Sequence, residues 1–149
     1  MIKVVRKENI IEITKLMGLT VNLEVRRRDE NITIKIFSDH NAVLIGRNGK
    51  VLEALQTIIR QIIQKETKEY ISIILDVENY KDKRIKNLEY LAKKVAKEVA
   101  STKVETKLDS MNSYERRIIH SILSENKYVY TESVGEEPNR CVVIKPKEE

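Results

Sequence analysis

Leu44-Ile45-Gly46-Arg47-Asn48-Gly49-Lys50 is the stretch from which the rest of this 149-residue sequence can be read. It holds two of the four glycines, three apart around two polar residues, at the mouth of an amphipathic segment. Gly46 and Gly49 can take backbone conformations closed to other residues and let a strand of phosphates lie against the main chain. Arg47, Asn48 and Lys50 supply hydrogen-bond donors. The segment over residues 50–65 is expected to be a helix, which aims unpaired amides and the positive end of its dipole at the same place. A G-x-x-G alone suits a plain structural turn equally well, so the flanks decide its meaning.

Upstream, Val21, Leu23 and Val25 alternate with Asn22, Glu24 and Arg26, and Ile32, Ile34 and Ile36 alternate with Thr33 and Lys35. Both patterns predict half-buried strands. The polar residues 27–31 suit a short connection between them, and residues 41–45 a short helix leading into the glycines. After the glycines, Val51, Leu52, Leu55, Ile58, Ile59, Ile62 and Ile63 recur at three- and four-residue spacing, the stripe of a helix packed on a sheet. Ile71, Ile73, Leu75 and Val77 then alternate as a third strand, and a helix over residues 8–17 precedes the whole.

The order helix, strand, strand, helix, G-x-x-G, helix, strand resembles the bacterial-type (type II) K-homology (KH) domain, over residues 8–78. The resemblance implies a groove beside the G-x-x-G that holds about four nucleotides of a single strand. It makes Gly46, Arg47, Asn48 and Gly49, with Lys50, the clamp on the backbone. Val43, Leu44 and Ile45 are candidates for the apolar wall that bases meet, although core is the commoner role for each.

A second signal is Met111-Asn112-Ser113-Tyr114-Glu115-Arg116-Arg117-Ile118-Ile119-His120. Glu115 stands three residues after Asn112, a capping box that predicts a helix start. Arg116 and His120 are four apart and so share one face, expected to point away from the isoleucines. An arginine fork suits phosphate and a histidine can stack on a base, although a solvated face is the commoner meaning of such a pair. The tail MNSYERRIIHSIL followed by TESVGEEPNRCVVIKP resembles the R-three-H single-strand-binding domain, and KH followed by R-three-H resembles the Jag family of bacterial RNA-binding proteins. By that resemblance Arg116 and His120 are the second signature, with Tyr114, Arg117 and Arg140 as neighbours. Many Jag proteins carry a further N-terminal segment, and this sequence starts almost directly at the KH helix, which leaves any membrane-associated role of that segment open.

The sequence thus predicts an α+β protein with a KH domain over 1–79 and an R-three-H domain over 80–149, the latter two helices on a three-stranded sheet. Ile85, Leu88, Ala92, Val95, Ala96 and Val99 form the stripe of a long helix opening the second domain. Residues 104–108 are its first strand, and an acidic loop of Gly135, Glu136, Glu137 and Pro138 separates the last two.

Net charge is +5, with 13 basic against 11 acidic residues through Asn79 and 15 against 12 beyond. Lys81, Lys83, Arg84, Lys86, Lys93, Lys94 and Lys97 make a basic flank on the long helix that can hold phosphate by charge alone, or that is merely solvated. Arg26, Arg27 and Arg28 read as solvated. His40 suits a helix cap or the surface. The single cysteine, Cys141, is expected on a strand, and one cysteine with two histidines cannot build a zinc cluster unless carboxylates supply most of the ligands. No apolar run approaches a membrane span. These absences favour a reduced, cytoplasmic setting, and the motifs with the resemblance imply a protein that binds single-stranded RNA, with single-stranded DNA as a second ligand left open, and that has no catalytic residues, metal or cofactor. The alternative is a scaffold pairing with another KH-domain protein or a ribosome-bound partner. A nucleotide hydrolase using Arg116 and His120 is a distant third.

Overall fold

Ile32, Ile34 and Ile36 make the centre of the first unit, because alternate residues of one strand point to one face and all three are buried there. The computed structural model describes residues 7–68 and 70–148, which divide into units Met1–Lys81 and Asp82–Glu149. The first unit runs α1 (Lys7–Leu16), β1 (Val21–Arg28), β2 (Asn31–Ser38), α2 (Asn41–Ile45), α3 (Lys50–Thr67) and β3 (Ser72–Asp76). Its sheet has the order β1-β2-β3. β1 lies antiparallel to β2, with Val25 opposite Ile34, and β3 lies parallel to β2, with Leu75 opposite Ile34. A parallel pair needs a crossover, and α2, the glycine turn and α3 supply it. The G-x-x-G is therefore the corner of that crossover.

Two details differ from the sequence pattern. The connection between β1 and β2 is only Asp29 and Glu30, with Asp29 at φ 55, so the arginines at 26–28 lie on the strand. Their polarity reflects exposure rather than a loop. On α3, Leu52, Leu55, Ile59 and Ile63 are buried but Ile58 is 47% exposed. The apolar stripe is wider than the surface the sheet offers it.

In the second unit, α4 (Tyr80–Thr102), whose first two residues belong to the first unit, is followed by β4 (Thr106–Lys107), α5 (Ser113–Leu123), β5 (Val129–Val134) and β6 (Cys141–Pro146). The sheet is antiparallel with the order β4-β6-β5. Leu88, Ala92, Val95, Ala96 and Val99 of α4 pack with Leu108, Ile119, Leu123, Val129, Val142 and Ile144 in its core. Ile85 is only half-buried. The strand expected over 104–108 shrinks to two residues, and the Leu108 N–H still donates to the Val142 carbonyl at 2.9 Å. Cys141 is a buried strand residue. Among the described residues no helix is long and apolar enough to cross a membrane.

Gln56 ties α3 to β3. Its Oε1 accepts from the Leu75 N–H at 3.1 Å and from Lys81 Nζ at 2.9 Å. Burial lowers the Lys81 pKa, against the pull of Asp76. Gln56→Leu removes the acceptor while keeping the bulk, and a strand N–H without its partner costs about 1–3 kcal/mol. Urea unfolding is expected to show a loss on that scale, with the slope unchanged.

Candidate nucleic-acid interface

α2 stops because the chain must turn a tight corner before α3. Gly46 sits at φ 70, ψ −177, and its N–H still bonds the Ala42 carbonyl at 2.9 Å. One 3-10 turn follows, with Asn48 at φ 55 and Gly49 at φ 76, both left-handed, before α3 starts at Lys50. Asparagine is among the few side chains that tolerate this region. The glycines are required by space as well as by angle. A Cβ on Gly46 would fall 2.3 Å from Val51 Cγ2, and one on Gly49 would fall 2.5 Å from Cε1 of Tyr80. Arg47 and Lys50 are exposed, Asn48 is half-buried and Gly49 is buried, so the side chains that can reach a ligand stand proud of a close-packed turn. The first turn of an 18-residue helix adds its positive end here.

The short helix before the turn is anchored at its start. Asn41 Oδ1 accepts from the Ser38 N–H at 3.0 Å, and Asn41 Nδ2 donates to the Glu78 carboxylate. His40 makes no side-chain cap and stands exposed 3.7 Å from Asp39. Of the three candidate wall residues, Leu44 is fully buried and Ile45 packs on the core, whereas Val43 is half exposed. Only Val43 offers appreciable apolar surface to a base.

The second signature is arranged differently from its expected solvent-facing pair. α5 starts with the capping box: Asn112 Oδ1 accepts from the Glu115 N–H at 2.8 Å, and Glu115 Oε2 from the Asn112 N–H at 3.3 Å. Glu115 Oε1 also accepts from Arg84 Nε at 3.0 Å, which takes Arg84 out of the basic flank. Arg116 lies on the same buried side of α5 as Ile119 and Leu123, not away from them, and is 8% exposed. Its Nη1 donates to the Met111 carbonyl at 2.6 Å and its Nη2 to Glu137 at 2.8 Å. The acidic loop therefore neutralises the signature arginine.

His120 bridges to β5 through both ring nitrogens, with Nδ1 2.6 Å from Thr131 Oγ1 and Nε2 2.7 Å from Ser133 Oγ. Thr131 and Ser133 alternate along β5, so both hydroxyls face the helix. Burial, and then the positive charge of Arg116, lower the His120 pKa. Tyr114 and Arg117 are exposed on α5, and Arg140 Nη1 closes the acidic loop by donating to the Gly135 carbonyl at 2.7 Å. Tyr80, Glu137, Thr131 and Ser133 had no local signal as partners of the motif residues. The Thr-x-Ser alternation is the one pattern that could have drawn attention. Among the described residues no group of three or more His, Cys, Asp or Glu could hold a metal.

Arg116→Ala is expected to lower stability by about 1.5–3 kcal/mol, the scale of hydrogen bonds to charged groups. Arg117→Ala should stay within about 0.5 kcal/mol. Denaturant melts of both variants test this contrast. For His120 the fold favours the neutral ring, so the unfolded chain binds the proton first as pH falls. The stability it carries is present above the ordinary histidine value of 6.5 and is lost as pH drops below it. Thermal melts between about pH 7.5 and 5.5 should show a steeper fall for the native chain than for His120→Gln.

Two family descriptions match: the KhpA/KhpB KH domain over residues 7–74 and the R-three-H domain over residues 86–146. "RNA-binding protein KhpB" of Clostridium symbiosum is 40% identical over 133 residues, covering 89% of this chain and 60% of that protein. The protein of the same name from Bacillus subtilis is 34% identical over 156 residues, covering 98% of this chain and 75% of the relative. That of Lactiplantibacillus plantarum is 32% identical over 135 residues, 91% of this chain and 42% of the relative. The chain thus spans between under half and three quarters of the length of these relatives. With both domains matched in the same order and a relative this similar over most of its length, the chain belongs to the KhpB family, the Jag family that its sequence resembles.

Proposed function

We propose that the chain binds single-stranded RNA without catalysing a reaction and acts in post-transcriptional regulation. The first domain, residues 1–79, holds the phosphate backbone at Gly46, Arg47, Asn48, Gly49 and Lys50. The second, residues 80–149, adds contacts from the exposed Tyr114 and Arg117 of α5. Arg116 and His120 act there by position, fixing the acidic loop and β5 against that helix. The observation that carries this reading is the turn at Gly46 and Gly49, where two backbone positions lack β-carbons, the exposed side chains are the cations Arg47 and Lys50, and the amide of Asn48 is half-buried between them. That the relatives are named RNA-binding proteins supports its RNA-binding part.

Arg47→Asp with Asn48→Asp tests the clamp. Aspartate tolerates the left-handed position at residue 48, so the turn keeps its shape while two anions face the phosphates. Affinity for single-stranded RNA, read by fluorescence anisotropy, is expected to fall at least about tenfold with melting little changed. Unchanged binding would remove the clamp from the reading.

Salt dependence gives a second measurement. Four to six neutralised phosphates, at about −0.7 each for single strands, predict a log–log slope of roughly −3 to −4. A slope near zero would favour a protein-interaction scaffold. Tyr114→Ala with Arg117→Ala should weaken a long oligonucleotide and spare one of about four bases, which fills the KH groove alone.

A further inference from the structure

The second unit carries a groove of about 450 Å³ that neither motif includes. This is inside the range of about 300–1,000 Å³ typical of small-ligand sites. It exists because α4 presents alanines, Ala96 and Ala100, where larger side chains would close the gap to the end of α5 at Ile122. Its floor is therefore apolar. Lys93 and Lys97 stand on its α4 side, and Tyr128, 64% exposed, stands at its far wall.

That wall is held in place. Asn126 N–H donates to the Leu123 carbonyl at 3.1 Å, and Asn126 Oδ1 accepts from the N–H groups of Tyr128 at 2.8 Å and Val129 at 3.1 Å. Lys147 Nζ donates to the Asn126 carbonyl at 2.6 Å. The ring is thus carried on a pinned turn, which lowers the ordering cost of using it. Glu125 is the one carboxylate on the lining, against two lysines, and Lys83, Lys86 and Lys94 extend the positive charge along the exposed side of α4.

An apolar floor, an aromatic wall and a cationic rim are the three parts a nucleotide asks for: a surface for the base, a ring to stack on and charge for the phosphates. We infer that this groove is a nucleotide subsite for single-stranded RNA, one base entering against the part-exposed Ala100 and Ile122 beside Tyr128 while Lys93 and Lys97 hold the adjoining phosphates. The inference rests on the RNA-binding reading above and gives the basic flank of α4 a defined occupant.

The test uses the full chain, an oligouridylate of about twelve nucleotides and an abasic ribose-phosphate oligomer of the same length. Tyr128→Ala is expected to weaken the oligouridylate about five- to tenfold, the effect of one lost stack, and to leave the abasic oligomer unchanged. Tyr128→Phe should restore the stack. Lys93→Glu with Lys97→Glu should weaken both oligomers and make the salt slope shallower by about 1.4. Photocrosslinking of 4-thiouridine RNA should label the peptide that contains Tyr128.

If Tyr128→Ala binds the oligouridylate normally while the Arg47 and Asn48 double variant loses it, the subsite is overturned and the clamp stands. If the native chain binds neither oligomer, both readings fall. If the groove variants bind RNA normally but change the sedimentation of the chain, the groove is a protein contact and the inference is overturned.

Discussion

The absence of a β-carbon at Gly46 and Gly49 constrains everything around the turn between α2 and α3. At Gly46 the missing atom makes room for Val51, and at Gly49 for the ring of Tyr80. The first contact draws the start of α3 close to the end of α2, from where α3 lays Leu52, Leu55, Ile59 and Ile63 across the sheet, and the second seats the first residue of α4 against the turn. Backbone angle and packing ask for the same residue type, so the shape of the turn is set by its own main chain. A turn held in this way has less order to lose in any contact than one built from long side chains.

The second unit solves the opposite problem. Arg116 is a permanent cation drawn into the protein, and its burial is tolerable because a main-chain carbonyl and the Glu137 carboxylate meet it there. Arg84 and Glu115 repeat the arrangement nearby, and Glu115 serves the helix cap with its other oxygen. The side chains of this helix thus divide by direction. Arg116 and Glu115, facing inward, fix the loop and the cap around α5, whereas Tyr114 and Arg117 face outward and are exposed.

Much of this architecture was legible because it rests on local pattern. Alternation marked the strands of the first sheet, the three-and-four spacing marked α3 and α4, and the Asn112 and Glu115 pair marked the start of α5, which is a capping box in the structure. What was not legible depends on residues far apart in sequence. Spacing shows that Arg116 and His120 share a face of the helix. It cannot show that the face turns inward, because the loop bearing Glu137 and the hydroxyls of Thr131 and Ser133 arrive from 21, 11 and 13 residues away. Arg84 looks like one of the surface lysines for the same reason, its partner lying 31 residues on. Ile58 shows the converse limit, since a stripe of apolar residues does not state how much of its width a sheet will cover.

The three arginines at the end of β1 have a consequence that concerns other copies of the chain. Among the described residues β1 is an outer strand of its sheet, paired with β2 alone. Such a strand is a template for another extended chain, and folded proteins guard against it with charge. Arg26, Arg27 and Arg28 put three consecutive exposed arginines on that strand, Arg26 paired with Glu24 at 2.6 Å and Arg27 Nε donating to the Asp29 carbonyl at 3.1 Å. At β3, the outer strand on the other side, the Gln56 side chain already occupies the Leu75 N–H. A charged outer strand such as β1 disfavours the addition of a further strand, which gives the most basic tripeptide in the sequence a structural reason that needs no ligand.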